Sequence, residues 1–105
     1  MKLKIISAED FMRYIKRDDI LLIDLRERND YDKEHIEGAI YADWEKLDEN
    51  IDFLIDSCPH KINWIILYCD HGNISLLTAR DLARRGYPVI SLTGGYARLK
   101  KRHLT

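Results

Sequence analysis

The sequence predicts an α/β fold: a mainly parallel, roughly five-stranded sheet with helices on both faces. Short apolar runs alternate along the chain with segments of helical apolar spacing, which is typical of successive βαβ units. The runs are continuous rather than alternating, as in residues 20–25, and such runs indicate strands that helices cover on both sides. We therefore expect residues 1–105 to form a single domain with one core.

The N-terminal half predicts three strands, each introduced by a polar or glycine-containing segment. Ser7 has the position of a helix N-cap, with Glu9 and Asp10 in the first turn. Gly38 marks the break before the third strand. In chain order, the predictions are a strand at 4–6, a helix at 8–16, a strand at 20–25, a polar loop at 26–30, one helical turn at 31–35 and a strand at 39–41.

The C-terminal half predicts the two remaining strands and the helices that connect them. Gly86 has the position of a helix C-terminal cap, and Gly94-Gly95 favours a turn. Here the predictions are one or two short helices within 44–57, a strand at 63–68, a helix at 75–85 opened by Ser75, a strand at 88–92 and a helix at 95–102.

Composition excludes several classes of function. The formal net charge is -1, which does not favour nucleic acid or an acidic membrane as a partner. No apolar stretch approaches the ~20 residues of a membrane span, and the N-terminal residues do not resemble a signal peptide. We expect a cytoplasmic monomer in which Cys58 and Cys69 are free thiols.

Cys69 is the candidate catalytic residue, because it directly follows an apolar strand and precedes a helix. Ligands of parallel α/β sheets bind beyond the carboxyl ends of the strands. Backbone N–H groups and the dipole at the start of a helix favour negative charge there, so this position favours a thiolate nucleophile. The predicted substrate-binding residues are those that follow the thiol, namely Asp70, His71, Gly72, Asn73, Ile74 and Ser75.

The residues of this loop have different predicted roles. Gly72 permits positive φ, so the amides of the loop can curl towards the sulfur. Ser75 is expected first to cap the helix, and its hydroxyl and the Asn73 amide are candidate hydrogen-bond donors. His71 has two equally weighted interpretations: a cation that attracts the donor or a proton source for the leaving group, or an exposed loop residue without a role. Asp70 should face solvent, and its charge opposes thiolate formation.

Three ordered motifs resemble the family of rhodanese-like domains. Leu22–Arg26 resembles the Asp-x-Arg strand end of that family, and Tyr31–Ile40 resembles its His-Ile-x-Gly-Ala segment. Leu67–Ser75, followed by Gly86-Tyr87 and Gly94–Tyr96, resembles its active-site loop and the segments behind it. The Cys-x-His-Gly-Asn-x-Ser form of the loop is similar to that of small single-domain thiosulfate sulfurtransferases.

The resemblance implies a thiosulfate sulfurtransferase without a cofactor. Cys69 would take a sulfane sulfur from a small sulfur-containing anion, hold it as a persulfide and pass it to cyanide, a thiol or a protein acceptor. Many relatives carry arginine at the position of Ile74. That departure implies weaker side-chain binding of anionic donors and leaves anion binding to the backbone amides.

Other polar and aromatic residues in these motifs are expected to be structural. Asp24 and Arg26 should fix loops by hydrogen bonds and ion pairs rather than touch substrate, and His35 should bond to backbone in a turn. The tyrosines of the motifs are expected to be partly buried packing residues, namely Tyr31, Tyr87 and Tyr96.

Rival functions are less well supported. A metal site would have to use Cys58-x-His60 and Cys69-x-His71, but ligands so closely spaced rarely converge on one ion, so no metal is expected. A cysteine phosphatase needs an arginine that closes the loop on phosphate, and the first arginine after Cys69 is Arg80. A non-catalytic binding or regulatory module, and a persulfide carrier in a protein sulfur relay, remain as alternatives.

Overall fold

The computed structural model describes residues 2–103 and contains ten helices and strands within that range. Strands and helices alternate throughout, as predicted. In chain order they are β1 (Leu3–Ile6), α1 (Ala8–Tyr14), β2 (Ile20–Asp24), α2 (Arg28–Lys33), β3 (Ile40–Tyr41), α3 (Leu47–Asp56), β4 (Trp64–Tyr68), α4 (Asn73–Arg84), β5 (Val89–Leu92) and α5 (Gly95–His103).

The strands form one sheet in the order β1-β5-β4-β2-β3, and every pairing among the described residues is parallel. In the register, Ile23 of β2 lies opposite Leu67 of β4 on one side and Ile40 of β3 on the other. The predicted mainly parallel, five-stranded α/β fold is therefore confirmed.

Helices cover both faces of the sheet. Since successive side chains of a strand point to opposite sides, each strand packs against helices on both faces. Ile65 and Leu67 of β4 pack with the apolar residues of α3 and α4, whereas Ile66 and Tyr68 pack with those of α1 and α5. These four side chains of β4 are each at most 1% exposed. Full burial of each apolar side chain of this size contributes about 1.5–3 kcal/mol, so the central strand is the main element of the core.

Several predicted boundaries differ from the structure. The helix predicted at 31–35 is Arg28–Lys33, and it was misplaced because none of its residues is buried and it has no apolar stripe. The segment 44–57 contains one helix, Leu47–Asp56, which agrees with the prediction of one or two helices there. The helix predicted to open at Ser75 already begins at Asn73. The N-cap at Ser7 is confirmed, since its hydroxyl accepts a hydrogen bond from the Asp10 amide at 3.2 Å.

The chain reverses its direction across the sheet between β2 and β4. After β2 it continues to β3 on one side, and after β3 it returns to β4 on the other side. Such a switch point leaves a crevice at the carboxyl ends of the two strands. Asp24 and Tyr68 lie opposite each other as the last residues of β2 and β4, so Leu25 and Cys69 enter this crevice together.

Candidate active site

Cys69 lies at the floor of a cleft beyond the carboxyl ends of β2 and β4. Its side chain continues the face of Ile65 and Leu67 that packs on α4, and the residue is only 3% exposed. The cleft has a volume of about 240 Å³. Its walls are formed by residues from both strand ends, the turn before α3 and the start of α4, namely Leu25, Arg26, Glu27, Trp44, Asp70, His71, Asn73 and Ile74.

Two backbone amides donate hydrogen bonds to the Cys69 sulfur. The Gly72 nitrogen lies 3.1 Å from Sγ, and the Ser75 nitrogen lies 3.3 Å from it. Both amides belong to the N-terminal end of α4, where the helix dipole also favours negative charge. Donors so placed stabilise a thiolate and any negative sulfur bonded to it.

Gly72 makes this arrangement sterically accessible. Its φ is +99°, and it is the N-cap residue of α4. A Cβ atom at this position would lie 3.0 Å from the Gly94 nitrogen and 3.3 Å from the Leu92 oxygen. The predicted positive φ is therefore confirmed, and the close approach of the next strand end is a second reason for glycine.

Ser75 does not cap the helix, so that prediction is wrong. The left-handed conformation of Gly72 starts the helix at Asn73, which places Ser75 inside the first turn. Its hydroxyl is fully buried, lies 3.3 Å from the Gly72 carbonyl and shares a 2.9 Å hydrogen bond with the Ser91 hydroxyl of β5. Ser75 thus contributes its amide to the sulfur, while its side chain joins α4 to the sheet.

The loop after Cys69 is also held from α5, a contact that the sequence did not indicate. The Tyr96 amide donates to the Cys69 carbonyl at 2.7 Å, and the Ala97 amide donates to the Asp70 carbonyl at 3.0 Å. These bonds use N–H groups from the first turn of α5, which lack partners within their own helix. Cys69 is therefore held by α4 at its sulfur and by α5 at its carbonyl.

Asp24 and Arg26 form a buried ion pair beside the cleft, as predicted. Arg26 Nη2 lies 2.8 Å from Asp24 Oδ2, and the same nitrogen donates to the Glu34 carbonyl at 2.6 Å. The guanidinium also stacks on Tyr96, with 3.9 Å from Cζ to the ring centre. Burial opposes its charge, but the hydrogen bonds to Asp24 and the electrostatic attraction of the groups around it, first of all Asp24, together outweigh burial and raise the pKa of Arg26. Arg26 is therefore charged, and its guanidinium is held in an ion pair that stabilises the fold.

His35 bonds to backbone, which confirms its predicted structural role. Its Nδ1 lies 2.8 Å from the Tyr31 carbonyl, and its ring stacks on that of Tyr31. Nearby, the Ile36 amide donates to the Tyr68 hydroxyl at 3.2 Å, and burial raises the pKa of Tyr68. The segment after α2 is thus fastened to the end of β4.

The remaining residues of the predicted set lie around the mouth of the cleft. Asp70, His71 and Asn73 are exposed, and Ile74 is half-buried against the core on the α4 side. Both interpretations of His71 stay open. Trp44 forms one wall although it is 44% exposed, and the sequence indicated it only as part of an amphipathic segment.

Cys58 lies away from this site. Its Sγ is 3.3 Å from Nε2 of His60, and that nitrogen lies 2.9 Å from the Ile20 carbonyl at the first residue of β2, the opposite end of the strand from the cleft. Both thiols are free. Within residues 2–103, His, Cys, Asp and Glu side chains form no group of three suited to a metal ion, and no helix there has the length and apolarity to cross a membrane.

Comparison with known proteins connects this geometry to one family. The thiosulfate sulfurtransferase GlpE of Coxiella burnetii is 32% identical over 106 residues, covering 100% of this chain and 94% of that protein. The tRNA sulfurtransferase of Desulfurococcus amylolyticus is 35% identical over 82 residues, which are 78% of this chain but 15% of that protein. These relatives support sulfur transfer at the level of the family.

A solved structure and a family model agree with these relatives. The rhodanese-related protein of Thermoplasma volcanium matches the fold with a TM-score of 0.78 at 22% identity, covering 94% of this chain and 92% of that one. The model of the rhodanese-like domain matches residues 7–102. The chain therefore belongs to the family of rhodanese-like domains.

Proposed function

We propose that this protein transfers a sulfane sulfur from thiosulfate or a similar donor to a thiol or cyanide acceptor through a persulfide on Cys69. The observation that carries this proposal is the pair of amides, from Gly72 and Ser75, that donate to the Cys69 sulfur at the floor of a cleft. The names of the relatives support the reaction class.

In the first step, the Cys69 thiolate attacks the outer sulfur of thiosulfate. A bond forms between Sγ and that sulfur, the S–S bond of the donor breaks, and sulfite leaves with the electron pair. The product is a Cys69 persulfide anion. The amides of the loop stabilise negative charge before and after the transfer, because they are fixed in place by the start of α4.

In the second step, the acceptor removes the outer sulfur. Cyanide attacks that sulfur, the persulfide bond breaks, and thiocyanate leaves while Cys69 returns to the thiolate. A thiol acceptor gives a low-molecular-weight persulfide by the same displacement. The exposure of Asp70, His71 and Asn73 at the mouth leaves the acceptor a path to the sulfur.

Mass spectrometry of the intact protein after incubation with thiosulfate tests the proposal. We expect a gain of one sulfur atom, located on Cys69 by peptide mapping, and its loss with formation of thiocyanate after addition of cyanide. Cys69→Ser should abolish both results, and Cys58→Ser should leave both unchanged. Full activity of Cys69→Ser would show that the nucleophile is wrongly assigned.

A persulfide carrier for a protein acceptor is the second candidate. It is favoured by the relative named tRNA sulfurtransferase, in which the matching segment is a small part of a larger protein. A carrier would acquire the persulfide with thiosulfate but release it slowly to cyanide and to small thiols. Rapid turnover with cyanide would favour the small-molecule enzyme.

A further inference from the structure

The walls of the Cys69 cleft offer little positive charge to a substrate. The guanidinium of Arg26 lies at the cleft but is already paired with Asp24 and stacked on Tyr96. The other charged side chains of the wall are the carboxylates of Glu27 and Asp70, both exposed. A donor with two negative charges therefore receives its attraction mainly from the loop amides at the start of α4.

The same cleft presents apolar side chains on both sides of the sulfur. Leu25 follows β2, Ile74 lies in the first turn of α4, and Trp44 reaches the cleft from the turn before α3. Leu25 is 2% exposed, so it forms a fixed wall, whereas Trp44 is 44% exposed and leaves its indole available to a ligand. An aromatic or aliphatic group placed there would gain stabilisation by leaving water.

From these two observations we infer that Ile74 and Trp44 select donors with a single negative charge and an apolar group, such as aryl thiosulfonates and organic persulfides, over inorganic thiosulfate. This inference rests on the proposed function. The negative sulfur of such a donor faces the amides of Gly72 and Ser75, and its organic group occupies the space between Trp44 and Ile74. Ile74 is thus a specificity-determining residue of the reaction.

The transfer from an aryl thiosulfonate balances without a further reactant. The Cys69 thiolate attacks the terminal sulfur of benzenethiosulfonate, the S–S bond of the donor breaks, and benzenesulfinate leaves with the electron pair. Cys69 is left as the same persulfide anion that thiosulfate would give. Cyanide then removes the outer sulfur as thiocyanate, so one assay measures both donors.

The test compares kcat/KM for benzenethiosulfonate and for thiosulfate, with cyanide as the acceptor. Benzenesulfinate and sulfite differ in their intrinsic reactivity as leaving groups. The variants are therefore compared by how much each one changes the ratio of the two kcat/KM values. Ile74→Arg should lower the ratio of benzenethiosulfonate to thiosulfate at least about tenfold, mainly by improving thiosulfate, because a charge-assisted hydrogen bond to a donor oxygen is of that size.

Trp44→Ala supplies a second, independent variant. It should lower the ratio of kcat/KM for benzenethiosulfonate to that for thiosulfate about fivefold or more, because the lost ring contact is one that the organic donor makes. Leu77→Ala is the matched control, since Leu77 is 61% exposed on α4 and lies outside the cleft wall. It should leave the ratio unchanged.

The outcomes separate this inference from the function on which it rests. Donor ratios that stay within about twofold of wild type in both Ile74→Arg and Trp44→Ala would overturn the selection of apolar donors while leaving sulfur transfer intact. Absence of a Cys69 persulfide with either donor in the wild-type protein would instead overturn both. Circular dichroism melts of each variant establish that the folded protein is being compared.

Discussion

The hydroxyl groups of Ser75 and Ser91 lie 2.9 Å apart and are both buried. This single bond connects the first turn of α4 to β5, and the backbone of Ser75 carries one of the amides that face the Cys69 sulfur. Their contact therefore links the packing of a helix on the sheet to the geometry of the thiol.

Replacing one of the two serines should lower the free energy of unfolding more than replacing both. Ser75→Ala leaves the Ser91 hydroxyl buried without this partner, and we expect a loss of about 1–3 kcal/mol in the free energy of unfolding. The double variant Ser75→Ala with Ser91→Ala should recover part of this loss, because no buried hydroxyl is then left unpaired. Urea denaturation of the single and double variants measures the coupling. Strictly additive losses would contradict the importance of this bond.

Gly72→Ala should slow persulfide formation about 100-fold or more, because the amide must move away from the sulfur. Gly86→Ala is a matched control. Gly86 has a similar φ of +97°, lies two residues after the end of α4 and would have nothing within 4 Å of an added Cβ. Both variants should lose about 1–2 kcal/mol of stability from backbone strain. Gly72→Ala should lose more than Gly86→Ala, because its Cβ also meets the Gly94 nitrogen and the Leu92 oxygen. Rapid mixing with thiosulfate followed by mass spectrometry measures the rate of persulfide formation separately from stability. Equal rates in the two variants would show that the Gly72 amide does not determine this rate.

Arg26→Ala should destabilise the fold by about 3–5 kcal/mol, because it leaves the fully buried Asp24 carboxylate without its cation. Arg13→Ala removes an arginine of comparable chemistry from the exposed pair with Asp10, and we expect a loss of at most about 1 kcal/mol there. Chemical denaturation near neutral pH provides the comparison. Similar losses in the two variants would mean that the buried pair is not needed to hold the end of β2.

Asp19 should contribute to the loss of stability in acid. Hydrogen bonds from Arg17 and Asn63 hold the pKa of Asp19 below its ordinary value. The unfolded chain then binds a proton more readily than the folded one, so the contribution of Asp19 is present above about pH 4 and declines as the pH falls further. The free energy of unfolding should be measured across a span of about 4 pH units centred near pH 4. It should fall less steeply with decreasing pH in Asp19→Asn and in Arg17→Met than in wild type. Unchanged slopes would contradict the assignment.

The fold was predictable because its signals are local. The apolar run at 20–25 and the one before Cys69 are buried on both faces, and a parallel sheet is the arrangement in which such runs are buried. The helix Arg28–Lys33 was misplaced for the opposite reason, since it lies at the edge with no buried side chain to produce a periodic pattern.

The site was predictable only where it is built from consecutive residues. Cys69 and Gly72 are three positions apart, and their relation follows from a strand that turns directly into a helix. Ser91, Trp44 and Tyr96 reach the site from distant parts of the sequence, and only the packed fold brings them there. The predicted cap at Ser75 is wrong because the left-handed Gly72 starts α4 at Asn73, and the partner of the Ser75 hydroxyl, Ser91, comes from the distant strand β5.

The contact between α5 and the loop that follows Cys69 has a consequence for biosynthesis. The carbonyls of Cys69 and Asp70 receive their hydrogen bonds from Tyr96 and Ala97. While α5 is still inside the exit tunnel of the ribosome, the loop around Cys69 lacks these two hydrogen bonds. β1 must likewise wait for β5, with which it pairs. The loop around Cys69 therefore reaches its folded geometry only after α5 has been made and has packed against it.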